Sequence, residues 1–139
     1  MEALVVLAII AILATIAYPS YVNQVRKSKR AVAKSVLLDA ANREEQYFFS
    51  NKAYTGTLTD LNYADPAYFG DDNSPSSLAD AVYQLSVDTT VCGTAPCFQL
   101  QATPQHDQAN DTACGTFIIT SNNAGNIVKT TSTSSNDCW

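Results

Sequence analysis

One histidine, His106, is present among 139 residues. It stands in a T-P-Q-H-D-Q stretch beside Asp107, with no second histidine at ligand spacing. No nucleophile motif, glycine-rich phosphate loop or clustered metal ligands accompany it, so the sequence carries no enzyme signature, and neither a metal nor a cofactor is expected. The pair Asp71 and Asp72 with Asn73 lacks the glycine and distal glutamate of a calcium loop and reads as a solvated acidic turn. Basic residues are also few. Beyond residue 30 only Lys34, Arg43, Lys52 and Lys129 face twelve carboxylates, a net of −8. Only Lys52 and Lys129 belong to the strand-bearing part, so a basic stripe for nucleic acid is not expected there.

The remaining absence is the most informative. From Ala3 to Ala17 there is no charge, and Thr15 is the single polar side chain. At the α-helical rise, Ala3 to Tyr18 covers about 24 Å, slightly less than the ~30 Å hydrocarbon core of a bilayer. A signal peptide is the first alternative, with A-T-I-A at 14–17 as its cleavage site. Its amino-terminal flank should be basic, yet the residue there is Glu2. A buried core helix is the second, but nothing downstream is apolar enough to enclose it.

After the run comes a basic neck, Arg26, Lys27, Lys29 and Arg30, so that residues 1–30 carry +3. Helical spacing continues through it. Val22, Val25, Val32, Val36, Ala40 and Tyr47 form a stripe that Leu37, Ala41 and Phe48 broaden. Pro19 removes one backbone hydrogen bond without ending the helix. The expectation is one helix of roughly 45 residues, about 65 to 70 Å long, oily all round in its first half and amphipathic in its second.

Residues 50–81 are dense in Asp, Asn, Ser, Gly and Pro and read as an ordered surface loop pinned by Tyr54, Leu58, Leu61, Tyr63, Tyr68 and Phe69. Four strands are expected after it, at 81–90, 98–103, 116–121 and 127–131, with hairpin chemistry in C-G-T-A-P-C and S-N-N-A-G-N. The four cysteines, Cys92, Cys97, Cys114 and Cys138, match zinc spacing poorly and read as two disulfides of an oxidising compartment. Three pairings exist; the nested hairpin reading joins Cys92 to Cys97 and Cys114 to Cys138. The positive-inside rule would put the neck in the cytoplasm, while disulfides put the body outside it. A removed basic leader ahead of Met1 would reconcile the two.

The stretch E-A-L-V-V-L-A-I-I-A-I-L-A-T-I-A-Y-P-S-Y, 2–21, resembles the amino-terminal segment of type IV pilins and of type II secretion pseudopilins. The early glutamate, the proline near the end of the run and the S-Y step are its marks. C-G-T at 114 and C-W at 138–139 resemble the disulfide-closed region of type IVa pilins, the group of PilE-like pilins and minor pilins. The resemblance is strong over the first 50 residues and moderate over the last 30. Those chains open on a methylated Phe ahead of the glutamate, whereas Met1 precedes Glu2 here.

The resemblance implies an α+β fold, a long helix spine on a four-stranded antiparallel sheet. Residues 1–24 would be the membrane and filament-core half, and 25–139 the globular domain. It implies a homo-oligomeric filament with other pilins, held in the inner membrane before assembly, handled by the pilus assembly machinery and finally displayed outside a Gram-negative cell. Adhesion, twitching motility or DNA uptake would be its tasks. Glu2 would neutralise the terminal amine of an adjacent subunit, and Pro19 would mark where the helix loosens. The basic neck would meet Asp39, Glu44 and Glu45 of neighbours, or lipid head groups. A DNA- or receptor-binding tip component is the alternative within the family. A pseudopilin is a second, which the cysteines weigh against.

Overall fold

A computed structural model describes residues 2–91, 93, 96–121, 125–133, 135 and 137–139 of the chain. A single helix, α1 (Glu2–Asn51), runs unbroken through Pro19. Five strands follow: β1 (Ala67–Phe69), β2 (Tyr83–Asp88), β3 (Gln99–Pro104), β4 (Phe117–Ser121) and β5 (Ile127–Thr131). They form one sheet in sequence order, with every neighbouring pair antiparallel.

The expected helix, α+β class and four strands are all present, and the count rises to five. β1 is the addition, lying inside the stretch read as loop. It is three residues long, A-Y-F, and pairs Ala67 with Leu85 and Phe69 with Tyr83. Three residues are too few for an alternation to stand out, so only pairing to β2 reveals it. The rest of 50–81 is a loop with short 3₁₀ turns at Leu58–Leu61 and Leu78–Asp80. Its expected anchors hold: Leu58, Leu61 and Phe69 are buried, and Tyr54, Tyr63 and Tyr68 are half-buried.

The core lies between the second half of α1 and one face of the sheet. The helix contributes Val32, Ala33, Val36, Leu37, Ala40 and Ala41. The strands contribute Tyr83, Leu85, Leu100, Ala102, Phe117 and Ile119, and Phe98 joins them from just ahead of β3. Small helix residues opposite large strand aromatics let the helix axis approach the sheet closely while the rings fill the gap. Alternation along β2 to β4 is as the sequence predicts, with Gln84, Ser86, Gln99, Gln101, Ile118 and Thr120 on the opposite face.

Cys114 and Cys138 are bonded, their Cα atoms 5.7 Å apart, and both are buried. The bond closes the β4–β5 hairpin from behind, and cross-linking a loop of this size contributes on the order of 3 kcal/mol in the chain-entropy model. It also seats Trp139, whose indole N–H donates to the Thr130 carbonyl and whose ring meets Phe117 edge-on at 5.5 Å. Cys97 is buried and is not free. Its expected partner Cys92 lies outside the described residues, as does 122–124 of the expected S-N-N-A-G-N turn.

Candidate assembly surface and displayed face

Residues 3–21 of α1 are not covered by any other part of the chain among the described residues. Every one is exposed, with Leu4 and Ile16 each 69% accessible. The helix is long and apolar enough to cross a membrane, with mean hydropathy 2.4 over its most apolar window and none of that window buried. Thr15 hides its hydroxyl by donating to the Ile12 carbonyl, so even the one polar side chain of the rod is satisfied locally. Tyr18 and Tyr21 close the run, 73% and 69% exposed. Glu2 is the first residue of α1, and its side chain lies outside the described set. Pro19 sits within the helix where expected.

One turn further on, the chain begins to bind itself. The Arg30 guanidinium donates to both oxygens of Asp111, at 2.7 and 2.8 Å. Asp111 belongs to the turn after the 3₁₀ segment His106–Asn110, which hangs below the sheet. Beside the pair, the Gln108 amide nitrogen reaches the Tyr83 hydroxyl at 3.1 Å, the Arg26 carbonyl at 3.1 Å and Asp111 at 3.3 Å. A polar knot thus ties α1, the 106–110 segment and β2 together. The bidentate bond from Arg30 holds the Asp111 carboxyl below its ordinary range, and the carboxylate raises Arg30 in turn. Burial pushes the Tyr83 phenol up to about 12.

Two of the four neck cations are thus engaged within the chain. Arg30 faces a carboxylate of its own chain, and Arg26 reaches Asp107 at 3.2 Å across an exposed gap. Lys27, Lys29 and Lys34 make no ion pair among the described residues. The acidic residues expected to meet the neck of a neighbour also have partners within their own chain. Asp39 accepts from Arg43 and from the Tyr63 hydroxyl, while Arg43 lies 4.4 Å over the Tyr63 ring. Glu45 accepts from Tyr54.

Glu44 is wholly buried. One of its oxygens accepts the Thr55 N–H at 3.1 Å, and the other has no partner. Burial raises its carboxyl to about 7; the Thr55 hydrogen bond opposes that rise, and the charges of Glu45 and Asp60 add to it. The sequence held a signal for this residue. Glu44 lies four beyond Ala40 and three before Tyr47, on the buried stripe itself, so the periodicity that found the stripe also places a carboxylate in it. The Arg30–Asp111 pair, 81 residues apart, had no such signal.

The outer face of the sheet is almost without charge. Register puts Tyr68, Gln84 and Thr103 in one row, and Ser86, Gln101, Ile118 and Thr130 in the next. Asp88, Gln99, Thr120 and Val128 make the third row, in which Asp88 alone is charged. The glutamines bond to one another and to Thr120. Lys129 is on the other side, 5.2 Å over the Trp139 ring, and Lys52 is at the end of α1, 5.1 Å over Phe49.

A bare apolar half-helix, continuous with a half-helix that forms the spine of an antiparallel sheet, is the architecture of a type IV pilin. The chain belongs to the family described as type IV minor pilin ComP, DNA uptake sequence receptor, whose model matches residues 19–118. The match thus rests on the spine, loop and sheet, whereas the resemblance read from the sequence rested mainly on the two ends. No curated protein matched the chain. The chain is a type IV minor pilin, made as a membrane-anchored precursor of a pilus.

Proposed function

We propose that this minor pilin is built into the filament through α1, and that residues 1–24 form the filament-core half while 25–139 form the displayed domain. The exposure of every residue from 3 to 21 carries this reading. Copies of the same helix, its own or those of other pilins, replace the lipid that covers the run before assembly. Glu2 is the register residue: a carboxylate in an apolar bundle persists when paired, and the terminal amine of an adjacent subunit supplies the pair. Pro19 lacks the N–H that would bond back to Thr15, which makes that turn the easiest place for the helix to loosen. The precursor sits in the inner membrane of a Gram-negative cell with its domain in the periplasm, where the Cys114–Cys138 bond is stable. Glu2→Ala is expected to abolish incorporation into sheared filaments while leaving membrane-bound protein. Wild-type incorporation by that variant would defeat the reading.

The family match favours a second task, DNA binding during uptake. Arg26, Arg30 and Arg43 are engaged within the chain, and the outer sheet face carries no cation. Binding through the domain then rests on Lys27, Lys29, Lys34, Lys52 and Lys129, which make no ion pair among the described residues and do not lie on the outer sheet face, so it is weak and steeply salt-dependent. A gel shift with the chain in detergent tests this. Tight binding that persists at high salt would show that contacts other than phosphate neutralisation hold the DNA.

A further inference from the structure

We infer that the neck and the underside of the domain form a seat for anionic phospholipid head groups, used while the subunit waits in the membrane. The inference rests on the membrane-anchored reading above. Its starting point is a cavity of about 230 Å³ lined by Asn23, Arg26, Arg30, Asn110, Asp111 and Thr112. Arg26 lines it, and the Nε of that side chain is buried without a hydrogen-bond partner among the described residues, although the same guanidinium reaches Asp107 through Nη2. A buried guanidinium N–H without an acceptor is costly, and a phosphate oxygen is the acceptor its geometry suits.

Position selects the source of that phosphate. Tyr18 and Tyr21 are exposed at the end of the apolar run, where amphipathic rings settle at the membrane–water boundary. Arg26 is about 7.5 Å above Tyr21 along the helix, at the outer edge of a head-group layer about 5 to 7.5 Å deep, and Arg30, about 13.5 Å above it, faces that layer from the water side. Lys27 and Lys29 lie on the helix between Arg26 and Arg30, Lys29 lining a neighbouring hollow with His106 and Asp107, and neither makes an ion pair among the described residues.

Charge then sets orientation. Arg26 and Arg30 are balanced by Asp107 and Asp111, and the two lysines leave the neck positive. The rest of residues 31–139, without Asp107 and Asp111, carries −6. An anionic surface attracts the neck and repels the body, which holds the domain upright over its anchor.

Lysine acylation read by mass spectrometry tests the seat on the full chain, in vesicles of phosphatidylcholine with and without phosphatidylglycerol. Acylation of Lys27 and Lys29 is expected to slow roughly threefold when phosphatidylglycerol is present and to recover at high salt. Lys52 and Lys129, on the domain, should be unchanged and serve as internal controls. Asn110→Glu adds a carboxylate to the cavity rim at an exposed position, so the domain stays folded and the protection is lost. Equal acylation in both lipids, with the chain floating with the vesicles, overturns the seat alone. A chain that floats with neither vesicle overturns the membrane-anchored reading and the seat with it. Protection by inorganic phosphate in phosphatidylcholine equal to that given by phosphatidylglycerol makes the cavity a free-anion site and overturns the lipid assignment.

Discussion

Residues 3–21 and residues 22–51 are one unbroken helix, yet they bury apolar surface by different means. The first half keeps Leu, Ile and Val on every side and leaves them all exposed. The second half gathers most of its apolar residues into a stripe, with Leu38 and Phe49 left exposed outside it, thins the stripe with Ala33, Ala40 and Ala41, and gives the sheet room to close on it. A helix that is oily all round has no preferred side, so one domain cannot satisfy it. It needs a surround, either lipid or a ring of like helices. A striped helix does have a preferred side, and the sheet meets it. The two halves therefore divide assembly from folding, and substitutions should separate the two.

The largest effect belongs to Leu37→Ala, at a wholly buried position of the striped half. Truncating that side chain to a methyl group leaves a void in the packing and is expected to cost roughly 3 kcal/mol, read as a lower midpoint in denaturant. Leu13→Ala makes the same chemical change at a position 60% exposed. It should leave the unfolding of the domain unchanged and instead weaken incorporation into filaments. If both variants lowered domain stability equally, the halves would not be divided as described.

The join between the halves comes next. Arg30→Ala strands Asp111, whose side chain is 4% exposed, and should cost roughly 2 to 3 kcal/mol. Arg26→Ala removes only an ion pair to an Asp107 that is 68% exposed, and should cost under about 1 kcal/mol. Hydrogen exchange of 106–111 would read the difference directly, because that segment is held to the helix through Arg30 and Gln108.

How much of this was visible beforehand depends on the range of the interactions. Periodicities of 3.6 and 2 arise from near neighbours, so the stripe from Val32 to Phe48 and the alternation in β2, β3 and β4 could be read from the chain. The Cys114–Cys138 bond was legible through the hairpin that it closes. β1 escaped because A-Y-F is stabilised by its register to β2 rather than by its own pattern. The partner of Arg30 escaped for the same reason. Arg30 looks like a free cation until the fold brings Asp111 to it from 81 residues away. The DNA-receptor family was the least legible, since the residues that would attract phosphate are few here and three of the eight cations are engaged within the chain.

The last effect is the one that distinguishes the two halves by pH. Glu44 is a carboxyl inside the stripe, and folding raises it to about 7 from an ordinary value of 4.5. A carboxyl raised on folding favours the folded state while it is protonated. Its contribution is complete below about pH 4.5 and is lost as pH rises to about 7. Asp111 acts in the opposite sense. Its lowered carboxyl supports the fold above its ordinary value of 3.8 and withdraws that support as pH falls below it. Wild-type stability should therefore peak in mildly acid solution and decline toward neutrality. With a discount for screening by nearby solvent, the decline should be on the order of 2 kcal/mol. Glu44→Gln keeps an oxygen for the Thr55 N–H and carries no charge at any pH, so the decline between about pH 4.5 and 7 should vanish and the variant should be the more stable protein at pH 8. Urea midpoints across that range check it. The start of the loop at Thr55 should exchange its amide proton faster in the wild type than in the variant at pH 8, because an ionised Glu44 is better solvated when that segment lifts away. A wild-type decline that persists in Glu44→Gln would move the titrating group elsewhere and leave the buried stripe indifferent to pH.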